Sequence, residues 1–188
     1  MTELLDPQPP ASGESDPTPP LLLPSWTPYV AAGTAIAAGM AAVLWTTAHV
    51  HADALLRAVA LFVHLGCLVV GFGAVIAVDW IALLWVLGRR SLTEVLGIAG
   101  GVHVLIWIGY AGLVLSGVLL SPDLASTLTQ IKLALVLVIG LNGVLAAGLQ
   151  RQLGDRHGGR LVLLSAACAS VSQVAWWSAA VIGFLNAR

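Results

Sequence analysis

Six residues bring chemistry into an otherwise apolar chain: His64, Cys67, Asp79, His103, Lys132 and Asn142. All fall inside long hydrophobic runs. A charge near mid-bilayer costs at least ~2.5 to 3.5 kcal/mol on insertion scales, so such groups should face protein and have partners or a ligand. His64 and Cys67 stand about one helical turn apart and could place an imidazole and a thiolate on one copper ion. A haem iron could take one of the histidines as its axial ligand. Asp79 beside His103 would let each supply the partner the other needs, and the carboxylate could also take part in a proton relay. Lys132 could donate to a neutral His64, or reach outward while His64 binds a ligand. A further group, His49, His51 and Asp53, occupies a short connector. It has the residue types of a copper or zinc site, although a polar turn explains it more simply.

The elements that position these groups follow from composition. The 188 residues are 59% hydrophobic and only 9% charged, with a mean hydropathy of +0.95, whereas soluble domains are about 25% charged. The expected fold is an all-α, polytopic membrane bundle whose first partner is the lipid bilayer. Other membrane proteins, or a second copy of the chain, are further candidates. A net charge of −1 and the lack of any nucleic-acid-binding motif set DNA and RNA aside. Cys67 and Cys168 form no C-x-x-C pair and read as small buried hydrophobes.

Residues 1–28 hold eight of the nine prolines, four acids and no Lys or Arg, which predicts a disordered tail. This flank lacks the basic start of a secretory signal, so the first apolar run should remain as an anchor. Five transmembrane helices are expected at about 29–50, 55–88, 94–120, 127–150 and 160–186. Arg89 and Arg90, with Arg151, Arg156 and Arg160, fall on the side of the N-terminal tail. Arg57 and Arg188 fall on the other, with Lys132 just inside the fourth helix. The positive-inside rule then puts the N-terminus in the cytoplasm and the C-terminus outside an inner (plasma) membrane.

Short connectors make consecutive helices antiparallel, so residues equally far from a turn should lie at similar depth. A turn centred near Ser91 puts Asp79 level with His103, and one near Asp155 puts Asn142 opposite Cys168. These residues, with help from the fifth helix, are expected to form one polar layer in the cytoplasmic half. The same reasoning puts His64 level with Gly117 and Val118, and Lys132 level with Ser116, as a second layer in the outer half. Fifteen residues separate His64 from Asp79, or roughly 22 Å at 1.5 Å per residue. His64 and His103 are therefore too far apart to share one haem iron, and the two cysteines too far apart for a disulfide.

Enzyme chemistry finds little support: there is no G-x-S-x-G elbow, phosphate loop or H-E-x-x-H, which points to a non-catalytic protein. His64 followed by Gly71 and Gly73, Leu-Ser-Gly-Val-Leu-Leu at 115–120, Ile-Lys-Leu-Ala-Leu-Val-Leu-Val at 131–138 and then Asn142 carry a resemblance. Over about half of its length the chain resembles bacterial copper-resistance D domain membrane proteins, which implies an inner-membrane fold and copper as the candidate ligand. It departs from them in having Gly71-Phe72-Gly73-Ala74 where they carry Trp-x-Gly-Gly, and in lacking Met-rich outer loops. Its His, Asp-Trp, Ile-Trp-x-Gly and Lys landmarks look more like those of uncharacterised actinobacterial integral membrane proteins, a likeness that implies no activity. Three functions follow as expectations: binding or passing a metal ion such as copper, service as an accessory subunit of a membrane complex, or proton-coupled transport of a small molecule.

Overall fold

A computed structural model of the chain describes residues 26–155 and 158–186. The expected disordered tail therefore lies outside the described residues except at 26–28, as do Arg156 and Arg188. Five helices are present, α1 (Thr27–His49), α2 (Ala54–Val86), α3 (Leu92–Leu119), α4 (Thr127–Asp155) and α5 (Gly159–Leu185), with no strand among the described residues. Each has the length and hydropathy to cross a membrane. Phe62, Leu55 and Val69 are 80%, 75% and 73% exposed. An exterior of this kind is stable against lipid, where helices satisfy their own backbone groups.

The helix ends follow local chemistry. Pro28 opens α1, where its missing N–H costs nothing. Asp53 caps α2 by accepting the Leu56 N–H at 2.7 Å. Gly88, at φ +70°, ends α2 in the left-handed conformation that glycine adopts without strain. Ser91 and Glu94 form a reciprocal capping box, so α3 starts at Leu92, ahead of the expected Glu94. The largest difference is in α4, which continues to Asp155 instead of stopping near Gln150.

Two helical hairpins, α2–α3 and α4–α5, make the most extensive helix contacts, and α1 lies against α3 and α4. The α2–α3 seam is built on small residues. Gly71 faces Gly109 so closely that a Cβ on Gly109 would strike the Gly71 backbone, and Cys67 fills the space left by Gly112. Such residues let two membrane helices approach to backbone contact. Between the hairpins the gap is wider and is filled by Phe72, Val75, Ile139, Ala175 and Trp176, the buried apolar core. Phe72 stacks on Trp176 with ring centroids 5.6 Å apart and meets Trp177 edge-on at 4.9 Å. α1 is peripheral: Met40 is its one buried residue, and Tyr29 and Ile36 lie over Gly148 and Gly140 of α4.

Candidate functional site

Asp79 is held from α5. Its Oδ2 accepts the Gln173 Nε2–H at 2.6 Å, and Gln173 Oε1 accepts the Trp177 indole N–H at 3.1 Å. Gln173 and Trp177 are four residues apart, one turn of the same helix face. Gln173 lies one residue from the centre of the 27-residue α5, whereas Asp79 lies nine residues past the centre of the 33-residue α2, ~13 Å along the axis toward the Arg89 end. The one ion pair among the described residues is Arg90 with Glu94, at 3.5 Å. Asp79 thus meets an amide where a cation would be expected.

The expected pairing of Asp79 with His103 does not form. His103 Nε2 accepts the Trp107 indole N–H at 2.9 Å from one turn along α3. The reason is azimuth. α3 turns Gly109, Gly112 and Ser116 toward α2, while His103 shares a stripe with Trp107 and Tyr110 that faces α4. There His103, Trp107, Tyr110, Ile139, Gly140 and Gly143 are among the residues lining a cavity of about 20 Å³, room for one water. Asn142 is satisfied separately, donating to the Cys168 carbonyl at 2.8 Å, the residue opposite it by depth. The single layer expected from sequence is therefore three separate arrangements: Asp79–Gln173–Trp177, His103–Trp107 and Asn142–Cys168.

The second cluster is more compact. His64 Nδ1 lies 3.0 Å from Ser116 Oγ, and the Ser116 hydroxyl lies within bonding distance of the Gly112 carbonyl one turn back. With its proton given to Gly112, the Ser116 oxygen can accept from His64 when the imidazole carries its proton on Nδ1. Lys132 belongs to α4. It is nine residues from the centre of the 29-residue α4, or ~13 Å along the axis. This is near the edge of a hydrocarbon core about 30 Å thick.

Of the residues weighed for copper, His64 and Cys67 both face the α2–α3 seam, His64 on Ser116 and Cys67 on Gly112. In the first connector, His49 Nδ1 lies 2.7 Å from the Trp45 carbonyl, its ring stacks on Trp45, and Asp53 is engaged as the α2 cap. Among the described residues no group of three or more His, Cys, Asp or Glu is gathered as a metal-ion set. Both cysteines are free thiols.

Sequence reasoning missed Gln173 and Trp176. Gln173 was legible as a lone amide in an apolar helix, one turn from a tryptophan. Trp176 is 2% exposed, and its indole N–H has no acceptor. It lies in the core between the two clusters, where an unpaired donor is costly. An open, mainly apolar groove of about 510 Å³ between α4 and α5 has Trp177 among its lining residues.

Comparison with family models, curated proteins and solved structures finds no match. The five apolar spans define the chain as a multi-pass integral membrane protein.

Proposed function

We propose that the protein is a non-catalytic membrane passage that moves a small solute together with a proton, with Asp79 as the proton-exchanging group. The observation that carries this reading is a carboxyl group inside a membrane-spanning helix, bonded to the Gln173 amide, without a basic partner among the described residues. Intramembrane ionisable groups of this kind mark ion and substrate pathways. A proton can leave and rejoin Asp79 without breaking an ion pair. Two features support a route. Polar groups stand at two depths, Asp79 with Gln173 and His64 with Ser116 and Lys132. The Phe72–Trp176 stack lies between them in the chain order of α2, and the buried Trp176 N–H has no acceptor among the described residues.

The orientation that goes with this reading places the Arg89, Arg90 and Arg151 end in the cytoplasm of a plasma membrane, by the positive-inside rule. Copper is the weaker choice of cargo, because His64 and Cys67 engage α3 and no third His, Cys, Asp or Glu joins them among the described residues. Reconstitution tests the proposal. Liposomes containing the protein and a pH-sensitive dye should show solute-dependent proton entry, and an acid-loading rate equal to that of empty liposomes across a panel of small solutes contradicts it.

A second reading has a specific support: Lys132, like Asp79, has no opposite charge among the described residues. In an accessory subunit, partner helices would supply both. A stoichiometric partner recovered in mild detergent, together with absent flux from the isolated protein, would favour it over the passage.

A further inference from the structure

His49 ends α1, and His51 follows it in the connector to α2. Val50 between them is extended, at φ −99° and ψ 127°, and its N–H donates to the Thr46 carbonyl at 2.9 Å. One extended residue sets the two histidine Cα atoms roughly 6.6 Å apart, at about 3.3 Å per residue. An imidazole nitrogen reaches further than half that span from its own Cα, so both rings can meet one ion. The His49 ring is already oriented. Its Nδ1 lies 2.7 Å from the Trp45 carbonyl, and the ring stacks on the Trp45 indole with centroids 4.5 Å apart. A carbonyl oxygen only accepts, so Nδ1 carries the proton and the lone pair of the neutral ring is on Nε2. A histidine whose other N–H is given to a backbone carbonyl has the usual form of a metal ligand. His51 is exposed and makes no hydrogen bond among the described residues. Ala52 beside it is buried, which seats the connector and leaves His51 on its outer side. The carbonyl end of α1 also favours a cation here.

We propose that His49 and His51 form a surface site for a divalent transition-metal ion, bound through His49 Nε2 and one ring nitrogen of His51. Imidazole nitrogen suits zinc, copper and nickel, whereas calcium and magnesium take oxygen ligands. Among the described residues no third His, Cys, Asp or Glu joins the pair, and Asp53 Oδ1 is engaged by the Leu56 N–H. Water therefore completes the coordination, and the ion exchanges readily. Trp45 is a positioning residue: its carbonyl orients the His49 ring and its indole supports it. The site goes beyond the passage and is independent of it, since it uses none of Asp79, Gln173 or His64, and binding is read without a pH gradient.

The test is titration of the full chain, free of any histidine affinity tag, with Cu2+, which heads the divalent affinity order. One saturable equivalent is expected, together with quenching of tryptophan emission, because the paramagnetic ion binds the ring that stacks on Trp45. Electron spin-echo spectroscopy of the bound Cu2+ should show two imidazoles, a measurement on the wild-type chain that needs no variant. His49→Gln and His51→Gln, both at exposed positions, should each weaken binding by at least about tenfold. Trp45→Phe should keep the binding and lose most of the quenching. No saturable Cu2+ binding, a spin-echo pattern with fewer than two imidazoles, or undiminished affinity in either folded glutamine variant would each overturn the site.

Discussion

Gln173 donates its side-chain amide to Asp79 at 2.6 Å and accepts the Trp177 indole N–H at 3.1 Å, so an ionisable group inside a membrane-spanning helix is held by a two-bond relay from α5. The relay also joins the hairpins, because Asp79 belongs to α2–α3 and Gln173 to α4–α5. Whatever changes the Asp79 carboxyl is therefore felt at the contact between the hairpins.

Removing the outer bond should loosen that relay without breaking the core. Trp177→Phe keeps an aromatic ring beside Phe72 but leaves Gln173 Oε1 without its donor. A neutral hydrogen bond contributes about 0.5–1.5 kcal/mol, a factor of roughly two to ten in an equilibrium. Proton-coupled flux should fall by that factor, while the melting temperature in detergent changes little. Flux measured in liposomes at equal protein loading checks this.

The α2–α3 seam should tolerate no side chain at its closest point. A Cβ on Gly109 would collide with the Gly71 backbone, whereas one on Gly73 meets nothing within 4 Å. Gly109→Ala should lose about 1–3 kcal/mol or more, the usual cost of overpacking. Gly73→Ala should be neutral. Denaturation in mixed micelles separates the two.

Asn142 ties α4 to α5 through the Cys168 carbonyl at 2.8 Å. Side-chain hydrogen bonds between membrane helices contribute about 0.6 kcal/mol on average and up to about 1.7. Asn142→Leu should destabilise the bundle within that range, and Cys168 should become more reactive toward a membrane-permeant thiol reagent. Unchanged stability together with unchanged Cys168 labelling would show that this bond does not hold the hairpin.

Much of the architecture was legible because runs of apolar residues long enough to cross a bilayer leave few alternatives. Depth was legible too. Asn142 does meet Cys168, and His64 meets Ser116, one residue from the expected Gly117, because the α2–α3 hairpin is centred nearer Arg90 than Ser91. Rotation about each helix axis was not legible. It is set by which face carries the glycines that allow closest approach. Gly71, Gly109 and Gly112 claim the α2–α3 seam and turn His103 toward α4. The same rotation leaves Asp79 to Gln173, a lone amide on α5 that depth matching between consecutive helices does not reach.

The central claim is that Asp79 exchanges the proton that moves with the solute. Its most direct measurement is solute-driven proton flux, across a panel of membrane-impermeant small solutes, into liposomes holding wild-type protein, Asp79→Glu or Asp79→Asn at matched folding and orientation. Asp79→Asn keeps a polar side chain that can bond Gln173 but cannot exchange a proton at neutral pH. Flux should fall to the rate of empty liposomes in Asp79→Asn and return in part in Asp79→Glu. Wild-type flux in the Asp79→Asn protein would contradict the account.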